Sequence, residues 1–130
     1  MCTNNCKIQF REAVLLLAAC LLSGCGGPPV PTPTDPHLAT ASLQAALEKW
    51  KQGTKIDALR QERPAVYAVD EDWQEGRKLV NFEVREAFRE GAIARIPVRI
   101  HLESPNGLWW KEVEYRVSTK PVVSIVRQDE

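Results

Sequence analysis

The chain lacks an excess of charge of either sign: 17 Lys and Arg stand against 17 Asp and Glu in 130 residues. Proteins held to nucleic acid by bulk charge carry a basic surplus, so no nucleic-acid partner is expected. It also lacks cysteine over most of its length. Cys2, Cys6, Cys20 and Cys25 all fall at the N-terminal end. The remainder can hold no disulfide, no Cys-ligated metal and no Cys nucleophile. No second pair follows Cys2 and Cys6, which removes them as a metal motif. Histidine is nearly absent. His37 and His101 share neither ligand spacing nor a helix face. There is no G-x-S-x-G, no glycine-rich phosphate loop and no H-E-x-x-H. No cofactor and no enzymatic activity are expected from such a set. The composition, 44% hydrophobic and 26% charged, is that of a globular protein rather than a disordered one. The length suits one domain.

What is present begins with an address. Lys7 and Arg11 precede an apolar run from Ala13 to Leu22. That run is too short for a bilayer, which needs about 20 apolar residues, and it fits the core of a secretory signal. It ends in Leu22-Ser23-Gly24-Cys25. This tetrad resembles the lipobox of bacterial lipoproteins, L-[AS]-[GA]-C, at every position. The resemblance implies a signal peptide over 1–24, cleavage before Cys25, and a diacylglycerol thioether on the Cys25 thiol. It also implies acylation of the new amino group. Two or three acyl chains anchor stably where one does not. Loss of Lys7, Arg11 and Glu12 with the signal leaves the remainder close to neutral. The lipid, not headgroup attraction, then supplies the membrane contact. Gly26 stands where some lipoproteins carry an inner-membrane retention Asp, which favours the outer membrane within the cell envelope.

Residues 25–37 carry the lipid site and a proline-rich stretch. Proline removes donors and fixes φ, so this stretch reads as a semi-rigid stalk about 30 Å long. A ligand for polyproline-reading domains is the sharper but weaker alternative. The folded part is expected over 38–130 as a single domain with one core.

Within it, Leu43, Ala46, Leu47 and Trp50 recur at helical spacing. Thr40 or Ser42 is the expected cap, and Gly53 the stop. Thr54 could open a further turn that Pro64 closes. From Ala65 the period becomes two. A short strand over 65–69 precedes alternation at Val80, Phe82, Val84. A second alternation runs from Ala94 to Leu102. After Ser104-Pro105-Asn106-Gly107, a hairpin signal, a third runs from Trp109 to Val117. Residues 122–126 form the last strand. Pro97 suggests an edge or bulge. The expected class is α+β: an N-terminal helix on a curved antiparallel meander of three to five strands. This order resembles the cystatin-like and nuclear-transport-factor-like rolls. The stretch Val69-Asp70-Glu71-Asp72-Trp73 with Gly76 and Leu79, and the ending Ser124-Ile125-Val126-Arg127, also resemble small lipoproteins of planctomycete-type bacteria.

The densest chemistry is Asp70, Glu71, Asp72 and Glu75. Calcium would need alternating oxygens and a Gly that is missing. A capping box, Asp72 as N-cap with Glu75 as its N3 partner, is the preferred reading. His101 reads as a solvated strand residue. Of Trp109 and Trp110, strand alternation puts one inside and one out. Trp110, on the side of Glu112, Glu114 and Arg116, is the candidate interaction surface for an envelope protein partner, or is covered by the tether or by stacking of Arg99 or Arg116. The alternative is a small-ligand or catalytic pocket between helix and sheet, reached by Tyr115 or Lys111.

Overall fold

The computed structural model describes residues 26–129. Cys25 and the segment before it, and with them the signal and lipidation readings, lie outside the described residues. Gly26–Val30 are exposed and without regular structure. The rest forms one unit from Pro31 onward.

Helix α1 spans Pro36–Lys51. It starts one turn before the expected caps. The Asp35 carboxylate accepts the His37 N–H at 2.8 Å, and Pro36 fills the first helical position, where its missing N–H costs nothing. Thr40 instead donates its hydroxyl back to the Pro36 carbonyl. Pro36 and His37, expected in the stalk, are therefore helical. Thr34 is already buried, donating to Ala92 O at 2.8 Å and accepting from Thr119 N. The helix ends at Gly53, whose φ of 91° lets Thr54 N reach Lys49 O and Gly53 N reach Trp50 O. That is the Schellman arrangement, which a Cβ would strain. A 3-10 helix follows over Ile56–Gln61, its start without a side-chain cap, so Thr54 does not serve as one.

Then come β1 (Val66–Val69), α2 (Glu71–Gln74), β2 (Lys78–Val84), β3 (Phe88–Glu90), β4 (Ile93–Ser104), β5 (Gly107–Ser118) and β6 (Val123–Gln128). They make one sheet of six strands, ordered β1-β6-β5-β4-β2, with β3 also on β4. The fold is α+β as expected, but the sheet is not a pure meander. β1 runs parallel to β6, from Val66 opposite Val123 to Val69 opposite Val126. Period-two alternation specifies a strand but not its neighbour, so this long-range pairing has no local signal. Pro97 sits inside β4, not on a sheet edge. Its carbonyl accepts from Arg85 N, so its missing N–H points the same way, to the gap where the chain leaves β2 for β3.

The inner face of α1 is Ala39, Leu43, Ala46, Leu47 and Trp50. It meets Ala94, Ile96, Val98, Ile100 and Leu102 of β4 and Val113, Tyr115 and Val117 of β5, all buried. Leu43 and Leu47 are shut off from solvent and contribute roughly 1.5–3 kcal/mol each by burial. The space between helix and sheet is thus occupied by side chains. Among the described residues no helix is long and apolar enough to cross a membrane.

Candidate functional site

The acidic stretch after β1 folds differently from the expected capping box. Asp70, still extended at φ −152°, is the N-cap of α2: its Oδ1 accepts from Trp73 N at 3.0 Å. Asp72 lies inside that turn and Glu75 is its C-cap. The helix starts as soon as the strand ends, and this shift by two residues frees Asp72 to turn inward.

Its partner is Arg127 of β6, a residue the sequence reading passed over. Period two puts Arg127 on the same face as Ile125, which points into the core, so the signal was there. Asp70, Asp72 and Arg127 are 2%, 5% and 7% exposed. Arg127 Nη1 donates to Asp70 Oδ1 at 3.0 Å and to Asp72 Oδ2. Its Nε donates to Asp129 Oδ1 at 2.9 Å. Asp72 also takes Arg77 Nη1 at 2.7 Å and Lys111 Nζ at 3.3 Å. Burial alone would raise the Asp72 carboxyl, but Arg127 and then Lys111 outweigh it and hold it below its ordinary value. Burial pulls the Arg127 guanidinium down, and Asp129, Asp70 and Asp72 outweigh that too. The carboxylates that suggested calcium thus face three basic side chains. Among the described residues no cluster of His, Asp and Glu could hold a metal ion.

Tyr115, the polar residue expected to line a pocket, is 2% exposed and donates its hydroxyl to Asp70 Oδ2 at 2.5 Å. Burial first, and the adjacent Asp70 charge second, push its phenol well above the ordinary range. Lys111 lies at the rim, half-exposed, on Asp72. The neighbouring aromatics fix the same corner. Trp50 and Trp73 stack at 5.1 Å with planes 3° apart. Their indole N–H groups donate to Arg77 O and Thr54 O, each at 2.8 Å. The buried charges link β1, α2, β5 and β6, and the stack joins α2 to the end of α1. This is a positioning device for the fold.

The outer face of the sheet offers the contrast. Trp110 is 38% exposed and Leu108 60%. Trp109, on the opposite face, is half-buried against the core. The Trp110 ring stacks on His101 at 4.4 Å with planes 7° apart, and the Arg99 guanidinium lies 4.6 Å from its centroid. Arg99, one of the two arginines weighed as its cover, packs on the ring and leaves it partly exposed. His37 is exposed on the first turn of α1 and has no part in this group. Two clefts flank the β4–β5 hairpin. One of about 670 Å3 lies between Glu75, Arg77, Glu103 and Trp109. The other, about 760 Å3, lies beside Lys111, Glu112, Glu114 and Asp129.

No family model, no curated protein and no solved structure matches this chain. Its residues and geometry carry the functional reading.

Proposed function

We propose that this chain is a lipid-anchored cell-envelope protein whose α+β domain is a non-catalytic interaction module. Its contact surface is the Trp110 side of the sheet. The observation that carries the reading is an exposed tryptophan stacked between Arg99 and His101 contacts on the outer sheet face. Trp and Arg are the residues that most often dominate contact energies, and a side chain already fixed loses little entropy on binding. Around it, Arg95 pairs with Glu114 and Arg85 with Glu112, giving a polar rim. The filled interior and the engaged Tyr115 favour surface over pocket. The Leu22–Cys25 tetrad supports lipidation at Cys25, and the prolines after it support a stalk. Gly26 supports the outer membrane. Of the two rolls, the nuclear-transport-factor-like one is preferred, because β1 beside β6 in parallel is foreign to a simple meander.

Fractionation and capture test the two halves separately. Cys25→Ala should release the chain from membranes or leave an unprocessed precursor, and unchanged retention with normal processing would refute the anchor. Trp110→Ala should lose the partners that the wild-type chain brings down after cross-linking in intact cells. An unaltered partner set would refute the surface.

A further inference from the structure

The described residues contain two asparagines, Asn81 and Asn106, in opposite surroundings. Asn81 lies within β2 and is followed by Phe82. Its Oδ1 accepts the Phe82 N–H at 2.9 Å, and the ladder holds Asn81 against His101 and Phe82 against Ile100. Asn106 is the second of the two residues that turn β4 into β5. It lies beyond the last ladder pair, Ser104 opposite Gly107. Pro105, Asn106 and Gly107 are all exposed. The Asn106 backbone N–H donates to Ser104 Oγ at 3.2 Å, but its carboxamide makes no hydrogen bond among the described residues. Gly107 follows with a φ of 130°. Its chain neighbours apart, no heavy atom lies within 4 Å of the place a Cβ would take. A side chain there would crowd its own backbone nitrogen, and glycine leaves that nitrogen open.

We infer that Asn106–Gly107 is a self-modification site, where the asparagine converts without an enzyme to aspartyl and isoaspartyl residues. Asparagine is among the thermally labile side chains. The Gly107 nitrogen loses its proton to solvent base and attacks Asn106 Cγ. The new N–C bond closes a succinimide ring, the Cγ–Nδ2 bond breaks, and ammonia leaves. Water then adds to one of the two ring carbonyls, and the bond from that carbonyl to nitrogen breaks. Opening at Cγ gives aspartate. Opening at the main-chain carbonyl gives isoaspartate, with the chain now running through Cγ. The net change is amide plus water to carboxylate plus ammonium. Ring closure needs the backbone at the asparagine to rotate, which the ladder denies to Asn81 and the turn leaves to Asn106.

The product changes its surroundings in two ways. Asn106 borders the cleft that Glu75, Arg77, Glu103 and Trp109 also line. A new carboxylate there joins Glu75 and Glu103, while Arg77 is already engaged by Asp72 and Glu75. The isoaspartyl form also adds a methylene to the main chain inside a two-residue turn, whose length sets the register of the strands it joins. None of this depends on the lipid anchor or on the Trp110 surface.

Incubation of the full chain in detergent at mildly alkaline pH, with peptide mass mapping over days, tests it. The peptide holding Asn106 should gain the mass difference between an amide and an acid and split into two chromatographic forms. One of the two should accept a methyl group from an isoaspartyl methyltransferase. Conversion should quicken as the pH rises, because the attacking nitrogen must lose its proton. The peptide holding Asn81 should stay unchanged over the same period. In Asn106→Gln, folded by circular dichroism, the peptide spanning position 106 should also stay unchanged, since glutamine would have to close a larger ring. A wild-type Asn106 peptide that persists unaltered, or conversion at Asn81 at an equal rate, overturns the inference.

Discussion

Replacing Arg127 by methionine keeps most of its stem and deletes the guanidinium. Arg127 is nearly inaccessible, and its side chain is the cation nearest to both Asp70 and Asp72. After the change Asp72 keeps Arg77 at 2.7 Å and Lys111 at 3.3 Å. Asp70 keeps only neutral donors, the Trp73 N–H and the Tyr115 hydroxyl. One buried carboxylate is therefore left without a counter-charge, a situation that costs about 3–5 kcal/mol. A domain of this size has about 5–15 kcal/mol to lose, so folding should survive. At about 4 °C or more of Tm per kcal/mol, the midpoint should fall by at least about 12 °C. Thermal unfolding at neutral pH, followed by circular dichroism, measures it. Adding Asp70→Asn removes the stranded charge and should restore part of the loss, so the two changes should be clearly sub-additive. A midpoint within the scatter of wild type, or strict additivity, would refute the claim that this contact is a coupled buried pair.

Two further outcomes concern the same corner and a third the helix–sheet layer. Tyr115→Phe removes a hydroxyl bonded to a charged group and should cost about 1.5–3 kcal/mol in urea unfolding. A null effect would mean that the bond adds nothing. The Asp72 carboxyl is depressed in the folded chain, so its contribution is complete above about pH 4 and is lost as the pH falls below that. The acid limb should become shallower in Asp72→Asn, and an identical limb would contradict the assignment. Leu43→Ala, on the buried face of α1, should cost about 2.7–5 kcal/mol, and a smaller loss would show that the helix–sheet layer is not closely packed.

The parts of this fold that were legible from sequence are those set by near neighbours. Leu43, Leu47 and Trp50 lie on the buried face of α1 because a 3.6-residue period is a local property. The inward series Ala94 to Leu102 and the division of Trp109 from Trp110 follow from alternation. The hairpin at Pro105 and Asn106 joins β4 to β5 where the turn residues announced it. What escaped depends on residues far apart in the chain. β6 beside β1 is a choice among strands of equal pattern. Which aspartate caps α2 depends on where β1 stops, and with Asp70 and Asp72 two residues apart either could serve. The role of Asp72 becomes visible only once Arg127 is brought to it from the last strand. The helix start was nearer to hand: Asp35-Pro36 is a cap followed by a first-position proline, obscured by the run of prolines before it.

Contact with partners is proposed for the Trp110 side of the sheet, the space between helix and sheet being filled by side chains. Site-specific photo-cross-linking in intact cells tests that most directly, with the probe at position 110 and, as control, at the exposed Asp57 of the 3-10 helix. Discrete adducts from position 110 to an envelope protein, with none from position 57, are the expected result. No adduct from position 110, or the same adducts from both positions, would contradict it.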